Sequence, residues 1–298
     1  MAALGREVEP VAKSDALARA RQRAAMVPDL LVEARRVANT AVSGWHGRRR
    51  RGMGENFWQF RPYTQGEALS RIDWRRSARD DHTYVRDREW EAAHTVWLWA
   101  DPSASMLYQS SHTDVSKEWR SLIVTLALAE LLSRGGERIA FPGVIDPFSA
   151  RNGAERLATA LSHSANLAPL PDVGNIRRFS DVVLVSDFLH PVDESLALLD
   201  RLARRGAHAH LVEIADPAEE AFPYSGRTEF RDPETGARIT AGRAESYAEE
   251  YRRLYLARRD TLAAFCRRLG WSYTVNRTDR PASEALMRVH MHLGGGAA

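Results

Sequence analysis

The sequence predicts an α/β protein: a mostly parallel sheet with helices on both faces, preceded by an N-terminal helix and a small β-rich segment. Three observations predict it. From residue 95 onward, apolar runs of strand length alternate with segments of helix length, which calls for a parallel sheet covered on both sides. TVWLWA at 95–100 and DVVLVS at 181–186 are nearly continuous apolar runs, each followed by an aspartate, as buried strands read. Between residues 55 and 91, aromatic and β-branched residues come instead in short clusters (Phe57, Trp58, Phe60, Tyr63, Ile72, Trp74, Tyr84, Val85, Trp90), the mark of short strands.

The elements follow in chain order. Residues 1–27 alternate charge with Ala and read as a disordered tail. Pro28 suits the first turn of a helix whose one face carries Leu30, Leu31, Ala34, Val37, Ala38 and Ala41. With the β-rich segment this helix makes a unit over 28–93, and Trp74 is expected in its core. The α/β domain spans 94–292. Within it, 116–133, 153–164, 193–205, 244–269 and 283–293 read as helices, and 138–144, 207–214 and 271–275 as strands. A hairpin is inserted at about 216–242, where RDPETG supplies turn chemistry.

Composition excludes several classes. The chain has 298 residues, 42 Lys+Arg against 39 Asp+Glu, a net charge of +3 and one Cys. One cysteine forbids a disulfide framework and any multi-cysteine metal site, and Cys266, on an apolar helix face, is expected to be a buried, inert thiol. No run approaches the ~18 apolar residues of a membrane span, and the N-terminus lacks secretory order, so a cytoplasmic protein is expected. Arginine dominates the basic residues; the lysines are Lys13 and Lys117. Arg48–Arg51 gives the alternative reading, binding to nucleic acid or an anionic surface, although base-reading motifs are absent. No P-loop and no Gly-x-Ser-x-Gly elbow occur, so neither an ATPase nor a serine hydrolase is indicated. His208-x-His210 lacks a third zinc ligand nearby.

The candidate site is Asp101-Pro-Ser103-Ala-Ser105, directly after the first buried strand, with Asp187 after the central one. In doubly wound sheets, function collects beyond the carboxyl ends of the strands, where strand order reverses. Alternation along an extended turn aims residues 101, 103 and 105 the same way, and their hard oxygens suit Mg²⁺, Mn²⁺ or Ca²⁺. Two neutral hydroxyls leave such an ion an open position for a partner's carboxylate. The triplet has a second reading, as caps of the helix that follows.

Asp101-Pro-Ser103-Ala-Ser105-Met106 with Val-Ser-Asp187-Phe resembles the metal-ion-dependent adhesion site of von Willebrand factor A domains. The stretch Gly52-Met-Gly54-Glu55-Asn-Phe57, Arg61-Pro-Tyr63-Thr-Gln-Gly66-Glu67 and Arg71-Ile72-Asp73-Trp74-Arg75-Arg76-Ser77-Ala78-Arg79 resembles the bacterial family catalogued as domain of unknown function 58. Gly136-Glu137-Arg138-Ile139 and Asp216-Pro217-Ala-Glu219 extend the likeness over about 28–292. The resemblance implies a von Willebrand A-like fold and no catalysis. It implies an adaptor role beside a MoxR-type AAA+ ATPase, or other von Willebrand A-domain proteins, in complex maturation or stress tolerance. It implies Mg²⁺ or Mn²⁺ on Asp101, Ser103, Ser105 and Asp187. The adhesion-site Thr is not evident: Glu155 stands at its position, and Thr159 falls mid-helix. The arginines of residues 61–79, with Glu67 and Asp73, form either an internal ion-pair network or a recognition surface.

Overall fold

The computed structural model describes residues 13–43, 59–64, 72–79, 82–87, 94–164 and 167–293. The chain divides into two units, Gly44–His94 and the remainder.

The first unit pairs β1 (Gln59–Pro62) antiparallel with β2 (Tyr84–Asp87), Pro62 opposite Tyr84. Between them a single turn, α2 (Trp74–Ser77), is capped by the Asp73 carboxylate, which accepts from the Arg76 N–H at 3.0 Å. Asp73 thus serves backbone, while Arg76 lies over the Tyr84 ring at 4.6 Å. Trp74 is 65% exposed, not the core residue its size suggested; the helix start turns it outward. Glu67, Arg71 and Arg48–Arg51 lie outside the described residues.

The second unit holds a six-stranded sheet in the order β10-β7-β6-β3-β4-β5. Its strands are β3 (Thr95–Ala100), β4 (Arg138–Phe141), β5 (Ile145–Phe148), β6 (Asp181–Ser186), β7 (His208–Ala215) and β10 (Ser272–Arg277). All pairs are parallel except β4–β5. The expected strand over 138–144 therefore stops at Phe141, turns through Gly143 (φ 72°), and returns as the antiparallel edge β5. From β3 the chain steps outward to β4 and β5, then crosses to β6 on β3's other side and continues to β7 and β10. The strand order reverses between β3 and β6. This is the mostly parallel architecture that the alternation predicted.

Helices cover both faces. α3 (Lys117–Arg134), α4 (Gly153–His163) and α8 (Ala282–Leu293) lie on one; α5 (Val192–Arg204) and α7 (Ala248–Arg268) lie on the other. β6 is buried at all six positions because it lies under both layers, which is why its sequence does not alternate.

The N-terminal helix departs from expectation. α1 runs Lys13–Ser43 with Pro28 inside it, so residues 13–27, read as tail, are helical. Proline offers the Ala24 carbonyl no N–H, yet its φ is that of a helix. α1 also belongs with the α/β unit, not with the β-rich segment: Leu30, Ala34, Val37, Ala38 and Ala41 are buried in the main core, against α3, α4 and α8.

The expected insertion contains α6 (Pro217–Ala221), started by a capping box between Asp216 and Glu219, and then a true hairpin, β8 (Thr228–Arg231) with β9 (Arg238–Ala241). The turn DPETG connects the two strands.

Candidate functional site

The switch point between β3 and β6 brings the four sequence-predicted residues together. The ladder runs one residue past β3, where the Asp101 N–H donates to the Val185 carbonyl at 2.9 Å. That bond fixes the Asp101 side chain at the carboxyl end of the sheet. Its Oδ1 accepts the Ser103 N–H at 2.8 Å and its Oδ2 accepts the Ser186 hydroxyl. Ser103 then opens a 3-10 turn, Ala104–Leu107, without capping it. Ser103 Oγ and Ser105 Oγ are hydrogen-bonded to each other, 3.1 Å apart. The capping reading fails, because Ser116 caps α3, accepting the Trp119 N–H at 3.2 Å.

The group that sequence reading missed is Lys117, the first residue of α3. Its side chain is 0% exposed, and its ammonium donates to Asp187 Oδ2 at 2.8 Å and to Glu219. The Tyr108 ring centroid lies 5.7 Å from Nζ. Asp187 is 2% exposed, with Oδ1 on the Leu189 N–H at 3.0 Å. Glu219 arrives on α6, with its other oxygen accepting the Asp216 N–H at 3.1 Å. Asp216 in turn accepts the Ser110 N–H at 2.9 Å, so α6 and the loop after the 3-10 turn hold each other. A second buried group stands behind: Glu213 of β7 takes Arg258 at 3.0 Å, Arg259 at 2.8 Å and the Tyr255 and Tyr273 hydroxyls, while Arg258 also donates to the Asp187 carbonyl.

The electrostatics follow from burial. Desolvation alone pushes the Lys117 ammonium down, but Asp187 and Glu219 beside it reverse this and hold its pKa above the ordinary value. Burial pushes Asp187 up, and Lys117 with the hydrogen bonds outweighs it, so its pKa lies below the usual range. Glu219 is raised, because burial outweighs its share of the single ammonium. His190, whose Nε2 lies 3.5 Å from Asp101 Oδ2, is raised by that carboxylate against the opposing pull of burial.

Glu155 is not at this end. Gly153, at the start of α4, abuts Ser133 and Ile139, so closely that a Cβ there would fall 1.9 Å from Ser133 Oγ. Ile139 is the second residue of β4, so α4 begins at the amino end of the sheet, and Glu155 pairs there with Arg35 of α1. The side chains therefore do not fit the Mg²⁺ or Mn²⁺ that the resemblance implies. All four carboxylate oxygens of Asp101 and Asp187 already accept hydrogen bonds, the place beside Asp187 holds an ammonium, and the Thr position supplies nothing. Unit charges about 4 Å apart repel by about 4 kcal/mol at an effective dielectric constant of about 20, and a divalent ion doubles that. Among the described residues no group of three or more His, Cys, Asp or Glu is placed to hold a metal.

Other candidates take structural places. His210 bridges Ser272 (2.8 Å) and Asp181 (3.4 Å), all three buried, as a polar link across three strands. Cys266 is buried, which pushes its thiol up to about 12.

Fold and rim together define an α/β protein whose buried, ion-paired carboxylates converge at the point where strand order reverses. Residues 59–261 match the model of the family described as "Protein of unknown function DUF58", and the chain belongs to that family. It is 28% identical over 250 residues to the uncharacterized proteins Rv1480 of Mycobacterium tuberculosis and Mb1516 of Mycobacterium bovis, covering 77% of this chain and 76% of each relative. Among solved structures it is similar to an aerotolerance-related membrane protein from Bacteroides fragilis (13% identity, TM-score 0.38, covering 67% of this chain and 98% of that one). The conserved hypothetical protein BatB from Bacteroides thetaiotaomicron is also similar (13%, 0.37, 68% and 100%). No helix among the described residues is long and apolar enough to cross a membrane.

Proposed function

We propose that this chain is a non-enzymatic protein–protein interaction module of the cytoplasm, and that its carboxyl-end rim receives an acidic side chain of a partner. One observation carries this. Glu234, from the exposed turn between β8 and β9, already lays Oε1 on the Ser105 N–H at 2.8 Å. A carboxylate is thus accommodated at the rim, beside two hydroxyls and a histidine. The partner class that the resemblance implies is a MoxR-type AAA+ ATPase, acting with this module in complex maturation or stress tolerance.

The test is biolayer interferometry of the purified full chain against the MoxR-type ATPase of the same genome. The expected result is binding that falls about tenfold or more in a Ser105→Pro variant, which removes that N–H, a loss of about 1.4 kcal/mol. Binding unchanged in the variant removes the rim from the proposal. No binding by the unaltered chain removes the partner class.

A further inference from the structure

We infer that the Lys117 ammonium is the resident cation of this rim, paired with one of the two aspartates expected to ligate a divalent ion, so that the rim engages a carboxylate without metal. The inference deepens the proposed interaction site, and rests on that reading only for its consequence in binding.

Geometry supports it first. A cation serving this rim would pair with the carboxylate that ends the central strand. Here that carboxylate, Asp187, lies 2.8 Å from Nζ, and Nζ is completely buried. The ammonium is held from three directions, by Asp187 of the loop after β6, Glu219 of α6 and the Tyr108 ring, and the Lys117 backbone N–H bonds the Tyr108 carbonyl at 3.1 Å. The hydroxyls expected to ligate a metal bond each other instead, Ser103 Oγ to Ser105 Oγ at 3.1 Å.

Residue chemistry supports it independently. The chain uses arginine for its basic residues almost throughout and lysine only at positions 13 and 117. Arginine would bring a planar fork of five donors; a compact point charge with three donors is the side chain nearest in shape to a small metal ion. Charge supports it as well. Lys117 offsets one of the three carboxylates Asp101, Asp187 and Glu219, and His190, 3.5 Å from Asp101, offsets a second when protonated.

The experiment is titration of Mn²⁺ into the full chain, cleared of metal with EDTA, with free Mn²⁺ read by electron paramagnetic resonance. The unaltered chain should show no saturable binding up to about 1 mM, whereas Lys117→Ala should acquire one site, lost again in Lys117→Ala/Asp101→Ala. Circular dichroism checks folding. If Lys117→Ala does not fold, Lys117→Ala/Glu219→Gln, which removes the surplus carboxylate, takes its place. Saturable Mn²⁺ binding by the unaltered chain that disappears in Asp101→Ala would overturn the inference, as would a folded Lys117 variant that binds none. Because this titration needs no partner, a failed ATPase interaction leaves its result standing. Where a partner does bind, EDTA should not weaken the complex.

Discussion

The two ends of the central sheet are built by opposite rules. At the carboxyl end charged groups are buried and bonded across long stretches of chain: Lys117 to Asp187 and Glu219, Glu213 to Arg258 and Arg259. At the amino end Arg138, Arg177, Arg178 and Arg205 line an open groove of ≈ 870 Å³. There Arg138 and Arg205 bond nearby carbonyls, of Pro147 at 3.1 Å and Gly174 at 2.8 Å. The backbone repeats the contrast. Phe188 and Phe179 both adopt positive φ, 50° and 64°, but Phe188 is buried directly after Asp187, whereas Phe179 is 67% exposed under the Arg178 guanidinium. Strain at the carboxyl end is held by packing around the site; at the amino end burial offsets none of it. A buried network fixes side chains to within a hydrogen bond's tolerance, while an exposed one leaves them replaceable.

The largest effect expected from this comparison is at Lys117. Lys117→Met strands two buried carboxylates and should lower unfolding free energy by about 3–5 kcal/mol in urea titrations, whereas Arg178→Ala should stay within about 0.5. Equal losses at the two ends would break the contrast.

Acid should expose the same asymmetry. Asp187 titrates lower in the folded state than unfolded, so the stability it contributes is present above its unfolded pKa and lost as pH falls through the folded one. Stability should therefore drop below about pH 4, and Asp187→Asn should flatten that drop while being the less stable protein at pH 7. His190 works in the reverse sense and more weakly, since it is partly exposed. Its raised pKa gives stability below about pH 6.5 that fades as pH climbs through the folded value, checked by comparing His190→Gln at pH 5.5 and 8.

Phe179→Gly removes a left-handed non-glycine residue with little burial to lose, and should raise stability by about 1 kcal/mol in thermal melts. The smallest effect is at the exposed Arg204–Asp200 pair, where Arg204→Ala should cost about 0.5 kcal/mol or less.

Much of this was legible in the sequence where burial leaves a pattern. β3 and β6 announce themselves as apolar runs, and because each ends at an aspartate, the meeting of Asp101 with Asp187 follows from topology. Lys117 left no such trace. Its partners lie 70 and 102 residues away, and a charged residue after a serine reads as an ordinary first helical turn. The available signal was compositional: a lysine in a chain of arginines. Pro28 misled because proline suits a helix start as well as it survives an interior, and the α1 face that would decide between them packs on elements more than 70 residues away. Glu155 aligned by local spacing, but spacing does not say at which end of the sheet a helix begins.

One edge of the sheet has a consequence for association. β5 is four residues long and includes Pro147, which has no N–H to donate and whose carbonyl accepts from Arg138. An approaching strand meets no continuous row of donors and acceptors along that border. In crowded solutions Pro147 therefore hinders copies of the chain from extending one another's sheets across β5.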